Sequence, residues 1–220
     1  MTSALAYKEI RETLPIAALG LAALMFLALD AMGYSPAPNL LSQSQPGGIP
    51  FFFDSFTQRF GLAATGIALA LGFWQSLGDF WGDAQLFVLH RPVARSTVYA
   101  TKLAVGLAVY FACTLIPVAI YTWWAATPGT HASPFEWSMT KNICSTWIQT
   151  SVIYLGAFLS GIRPAAWLGT RLAPLAAAGL SNILIFWWDS SFWIDTAQVL
   201  IGGAVLAAAI LHVSATRDFA

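Results

Sequence analysis

Apolar residues in this chain gather in long blocks, with short polar or Pro/Gly-rich stretches between them. The first block covers 14–33 and, at a rise of about 1.5 Å per residue, matches a ~30 Å hydrocarbon core. Before it, residues 1–13 mix Lys8, Glu9, Arg11 and Glu12. The block is longer than the apolar region of a signal peptide, its leader is not simply basic, and no A-x-A site follows. It is therefore expected to stay as a membrane anchor. Residues 34–60 turn to Ser35, Pro36, Pro38 and the 42–48 run, then to an apolar lip at 49–53. Further spans are predicted at 61–77 and 98–124, with a polar, kinked connection over 78–96 and a Pro128–Gly129 loop over 125–134.

The fourth span, 138–160, is the least apolar, since Asn142, Ser145, Thr146, Gln149 and Ser151 interrupt it, and its polar face should look inward. The fifth and sixth, 172–188 and 196–213, are rich in Ala and Gly. Gly203 and Ala207 form a small-xxx-small pair, for which tight helix packing is the simplest explanation. The pattern predicts an all-α fold: one transmembrane domain over 1–220, a polytopic integral membrane helical bundle of about six transmembrane helices.

Composition agrees. Charged residues are 9% of the chain and apolar ones 58%, against roughly 25% charge in a soluble domain. Cations set the orientation. With the N-terminus inside, Lys8, Arg11, Arg91, Arg95, Lys102, Arg163, Arg171 and Arg217 fall in the cytoplasm, leaving Arg59 and Lys141 outside. Both termini are then cytoplasmic. Trp123, Trp124, Trp187, Trp188 and Trp193 would form an outer aromatic belt, and Trp81 and Trp167 an inner one. Net charge is zero and no basic run appears, so no nucleic acid partner is indicated.

Motifs for soluble chemistry are missing. The chain has no GxxxxGK[ST] phosphate loop, no HExxH and no GxSxG, and His90, His131 and His212 lie on separate segments. Cys113 and Cys144 fall in apolar stretches without metal-type spacing and read as packing residues. Asp54, Glu136, Asp189 and Asp195 read as solvated outer-loop carboxylates. Asp30, Lys102 and Lys141 fall near predicted span ends, which places no charged residue at mid-membrane. Ion-coupled transporters usually carry one. Energy for any uphill movement would then come from a partner on the cytoplasmic face.

The longest cytoplasmic connection, 79–96, reads DFWGDAQLFVLHRPVARS. On a helix, Phe80, Ala84, Phe87 and Val88 share one face and Asp79, Asp83 and His90 another, as in a helix lying on a membrane surface. Pro92 draws Arg91 towards an extended conformation, and Ser96 is placed to cap the third span. An ordinary lipid-hugging loop with positive-inside arginines accounts for the same residues.

The run LFVLHRPVARSTVYATK over 86–102 resembles the cytoplasmic loop of permease subunits of type-2 ATP-binding cassette (ABC) exporters. There a Leu-rich helix leads into Arg-Pro-Val/Ile, a second Arg and a Lys at the next span. KEIRE before the first span is similar to that family's amphipathic N-terminal helix. The resemblance implies a subunit of the bacterial inner (plasma) membrane without catalytic residues, paired as a homodimer or pseudo-dimer. ATP would be bound by a separate cytoplasmic ABC ATPase, docked on Leu86, Phe87, Leu89, His90, Arg91, Pro92 and Arg95. The chain itself would bind no cofactor. Gln85 stands where family members often carry an acidic residue, and the turn before the last span is short. Candidates for a substrate-facing surface are Asn142, Ser145 and Gln149 of the fourth span and Ser181 and Asn182 of the fifth, with interhelical hydrogen bonding as the plainer reading. The alternative function is a non-transport anchoring or assembly subunit whose cytoplasmic helix recruits a soluble partner.

Overall fold

The computed structural model describes residues 2–34, 49–51, 55–78, 94–131, 134–164, 170–187 and 192–216, and no strand occurs among them. The helices are α1 (Thr2–Ala31), α2 (Ser55–Leu77), α3 (Arg95–Ala126), α4 (Lys141–Ile162), α5 (Ala173–Trp187) and α6 (Phe192–Thr216). A 3-10 turn, Trp137–Thr140, leads into α4. Five of these units are long and apolar enough to cross a membrane. Over its described residues α5, at 15 residues, covers about 22 Å of a ~30 Å core.

Two boundaries differ from the sequence reading. The first span, expected to begin at 14, is continuous with the amphipathic entry segment 1–13 from Thr2 onward, and Pro15 lies on an exposed face without ending the helix. One buried stripe explains the continuity: Glu9, Thr13, Ala17, Gly20, Leu24 and Ala28 recur at three- and four-residue steps along a single face. α3 starts at Arg95, so Ser96 lies inside the first turn and does not cap it; the capping position is Ala94, which offers no side-chain bond.

α4 is the hub. It packs against α2, α3, α5 and α6, while α1 packs on α2 and α3. Every residue from Thr150 to Ile162 is buried, so α4 has no outward face over these turns. Glycines permit the approach. A Cβ on Gly72 would lie 2.7 Å from the Tyr154 carbonyl oxygen, and one on Gly156 would lie 2.8 Å from the Ala178 Cβ and 3.1 Å from the Pro174 carbonyl oxygen. The pair expected to make a close crossing, Gly203 and Ala207, does not: a Cβ on Gly203 meets Leu155 at an ordinary 3.7 Å. α6 instead exposes Leu200, Ile201 and Val205.

The helices alternate in direction. One end of the bundle gathers the start of α1, the end of α2, the starts of α3 and α5 and the end of α4. There Arg171 caps α4 by donating to the Ser160 carbonyl at 3.0 Å and the Gly161 carbonyl at 2.7 Å. At the opposite end Arg59 of α2 donates to Asp30 of α1 at 3.0 Å. Phe51, in the left-handed region at φ 66, is held by its ring, which is buried and edge-on to Tyr121 at 4.9 Å. This costs about 1–2 kcal/mol and turns part of the expected apolar lip inward. Of the tryptophans expected in the outer belt, Trp123 and Trp193 are exposed at this end, whereas Trp124 is half-buried, stacked on Tyr121 at 5.6 Å and on His131 at 5.3 Å. Trp81, Trp167 and Trp188 lie outside the described residues, as do Asp54, Asp189 and most of the 34–48 loop.

Candidate functional site: a buried polar cluster at one end of the bundle

Glu9 of α1 and Lys102 of α3 both lie inside the bundle, 1% and 2% exposed. Their side chains pair at 3.4 Å between Nζ and Oε1. Gln75 of α2 sits beside them: its Nε2 donates to Glu9 Oε2 and to the Lys102 carbonyl, each at 3.4 Å, and Lys102 Nζ donates to the Gln75 carbonyl at 3.4 Å. Tyr154 of α4 closes the cluster by donating to Gln75 Oε1 at 2.6 Å. Gly106, one turn beyond Lys102, leaves room for this contact, since a Cβ there would overlap the Tyr154 hydroxyl and Gln75 Oε1. Four helices thus meet at one set of polar groups. Away from water each group needs the others, because an unpaired charge in a low-dielectric interior is costly.

Polar contacts continue along the α3–α4 interface. Lys102, Gly106, Tyr110 and Thr114 follow one another at four-residue spacing on the buried face of α3. The Tyr110 hydroxyl bonds the Thr150 hydroxyl, and Trp147 Nε1 donates to Thr114 Oγ1 at 2.8 Å. Thr114 also donates to the Tyr110 carbonyl at 2.7 Å, and Thr150 to that of Thr146 at 2.9 Å. Cys113 and Cys144 are both free thiols, Cys113 buried in this interface.

The structure revises several sequence expectations. Glu9 was read as part of a solvated leader and Lys102 as a positive-inside cation near a span end; they form a buried pair. The available signal was the stripe. Glu9 continues the Thr13–Ala17–Gly20 face of α1, and Lys102 continues the Gly106–Tyr110–Thr114 face of α3. Asp195 was read as a solvated outer-loop residue. It lies in the first turn of α6, 9% exposed, and accepts a bond from Ser145 at 3.1 Å. Glu136 is exposed, as expected.

Of the proposed substrate-facing residues, Ser145 and Gln149 belong together: Gln149 Nε2 donates to Ser145 Oγ at 2.9 Å, extending the Asp195 contact. Asn142 is exposed. Ser181 and Asn182 bond their own helix, both donating to the Ala178 carbonyl, at 2.8 and 2.9 Å. No described bond joins them to the α4 residues, so the five do not form one surface through hydrogen bonds. Leu86, Phe87, Leu89, His90, Arg91 and Pro92 lie outside the described residues. Arg95 is exposed as the first residue of α3. Among the described residues no three His, Cys, Asp or Glu side chains come together as metal ligands. Compared with known proteins, the chain matches no family model, no curated protein and no solved structure.

Proposed function

We propose that this chain is the membrane-spanning permease subunit of an ATP-driven exporter, moving its substrate by ATP hydrolysis on a separate ABC ATPase subunit. In this reading the bundle crosses the bilayer about six times, with both termini in the cytoplasm, and works as a homodimer or pseudo-dimer. The sequence support is the resemblance over 86–102 and the bias of cations to one side. The observation that carries the reading is the buried cluster. Gln75 stands near the end of α2 and Lys102 near the start of α3, on either side of the 79–93 connection; both are tied to α1 through Glu9, they bond each other, and Gln75 is tied to α4 through Tyr154. A push on that connection would move four helices together, as an external ATPase requires of its membrane partner.

The test is affinity purification of the tagged chain in mild detergent, comparing the native protein with an Arg91→Glu, Arg95→Glu variant. The permease reading predicts an ATPase co-eluting with the native chain and lost from the variant. A chain that stays intact in both samples and brings down no ATPase contradicts it. One observation favours a second reading, a non-transport anchoring subunit. Ser145 donates to Asp195 and Gln149 to Ser145 within a single chain, and α4 is enclosed over Thr150–Ile162, so these polar groups are already partnered without cargo.

A further inference from the structure

Ile194, Gln198, Ile201, Val205, Ala208 and His212 of α6 are all exposed, and they follow one another at alternating steps of four and three. That spacing is the seam of a left-handed pair of helices, in which each side chain enters a gap between residues of the facing helix. The seam points away from the rest of the bundle, since the buried positions of α6, Asp195, Val199, Ile210 and Ser214, lie on the opposite side.

Gln198 distinguishes this face from an ordinary lipid-facing surface. α6 has 25 residues, about 37 Å, so a ~30 Å core centred on it puts Gln198 about 5 Å inside the hydrocarbon. Gln75 and Gln149 are both bonded within the chain. The Gln198 carboxamide is exposed and has no hydrogen-bond partner among the described residues. An amide left to hydrocarbon is costly, and a second polar group at the same depth relieves the cost. Two copies of this chain inserted in the same sense bring their α6 helices together in parallel. A two-fold axis along the membrane normal then sets Gln198 against its own counterpart. A carboxamide carries both donors and an acceptor, so it is complementary to itself, which a cation or a carboxylate is not. One polar residue in an otherwise apolar seam also fixes the register of the pair. Ile201, Val205 and Ala208 supply the apolar contact beyond it.

We infer that the 194–212 face of α6 is a self-association surface, joining two copies of this chain in parallel through a pair of Gln198 carboxamides. The interface stands whether or not the chain transports a substrate. Association follows mass action, so the seam faces lipid at high lipid dilution and is covered as chain density rises.

The test is disulfide cross-linking in liposomes. Ile201→Cys and Val205→Cys lie on the seam, and Leu200→Cys, on an exposed position beside it, is the matched control; each is made in a background with Cys113 and Cys144 changed to alanine. Monodisperse elution in detergent verifies the fold of every variant. After oxidation at high chain density, Ile201→Cys and Val205→Cys should give at least fivefold more covalent dimer than Leu200→Cys, and prior dilution with lipid should reduce it. Adding Gln198→Leu should lower the Ile201→Cys product at least threefold, whereas Gln198→Asn should keep most of it. Absence of dimer at both seam positions, as for a monomer or a face covered by a different protein, overturns the self-association. Equal product at 200, 201 and 205 reports random collision and overturns it too. An unchanged product with Gln198→Leu overturns the role of the carboxamide. None of these outcomes alters whether an ATPase co-elutes with the tagged chain, so this interface and the permease reading fail separately.

Discussion

α4 and α6 are both membrane-length helices, yet they occupy opposite environments. In the most apolar stretch of α4 67% of positions are buried; in that of the more hydrophobic α6 the figure is 17%. In water the ranking would be reversed. In a bilayer the lipid is as apolar as leucine, so apolar residues gain little by turning inward, and polar residues turn to each other. Thr150, Tyr154 and Ser160 are buried in α4, whereas Leu200, Ile201 and Val205 face outward on α6. Polarity inside an otherwise apolar span therefore marks the hub, and uniform hydrophobicity marks the periphery.

This contrast predicts a graded series of substitution effects. The largest belongs to the glycines against α4. Gly72→Leu or Gly156→Leu drives a side chain into backbone less than about 3.2 Å from the new Cβ, and should cost about 3 kcal/mol or more. Loss of a monodisperse peak in detergent is the expected readout, while Gly203→Leu on α6 should keep it. Next comes the ion pair. Lys102→Met leaves Glu9 buried without its cation and should cost about 3–5 kcal/mol. Glu9→Leu combined with Lys102→Met should recover most of the loss, and thermal unfolding of the two singles and the double gives the coupling. Simple additivity would show that the pair is not formed.

How much of this was legible in the sequence depends on the solvent each residue meets. Lipid demands about 20 apolar residues per span, so the blocks at 14–33, 98–124 and 196–213 located α1, α3 and α6; of the polar residues of α4 expected to face inward, Ser151 is buried, Ser145, Thr146 and Gln149 are half-buried and Asn142 is exposed. Glu9 and Lys102 escaped because they lie outside the apolar blocks or at their margins, where charge ordinarily means water. α1 and α3 extend beyond those blocks, to Thr2 and Arg95, and their buried stripes extend with them. Asp195 was misread for the same reason at the other end. The pairing of Ser145 with Asp195, fifty positions apart, is a property of α4–α6 packing that local pattern does not encode.

Smaller effects sharpen the comparison. Ser145→Ala removes one interhelical bond to Asp195 and should cost about 0.5–1.5 kcal/mol, the range for such bonds in membrane helices; a shift in thermal midpoint measures it. The smallest effect belongs to Val205→Ala, on an outward face of α6, expected within about 0.5 kcal/mol of the native chain.

The most direct test of α4 as the enclosed hub is a spin-label scan in liposomes. Single cysteines are introduced along 150–162 and 198–208, in a background with Cys113 and Cys144 changed to alanine, and oxygen accessibility is read at each position. Uniformly low accessibility around α4, with high values at 200, 201 and 205 on α6, is the predicted result. A lipid-accessible face recurring every three to four residues along 150–162 would contradict it.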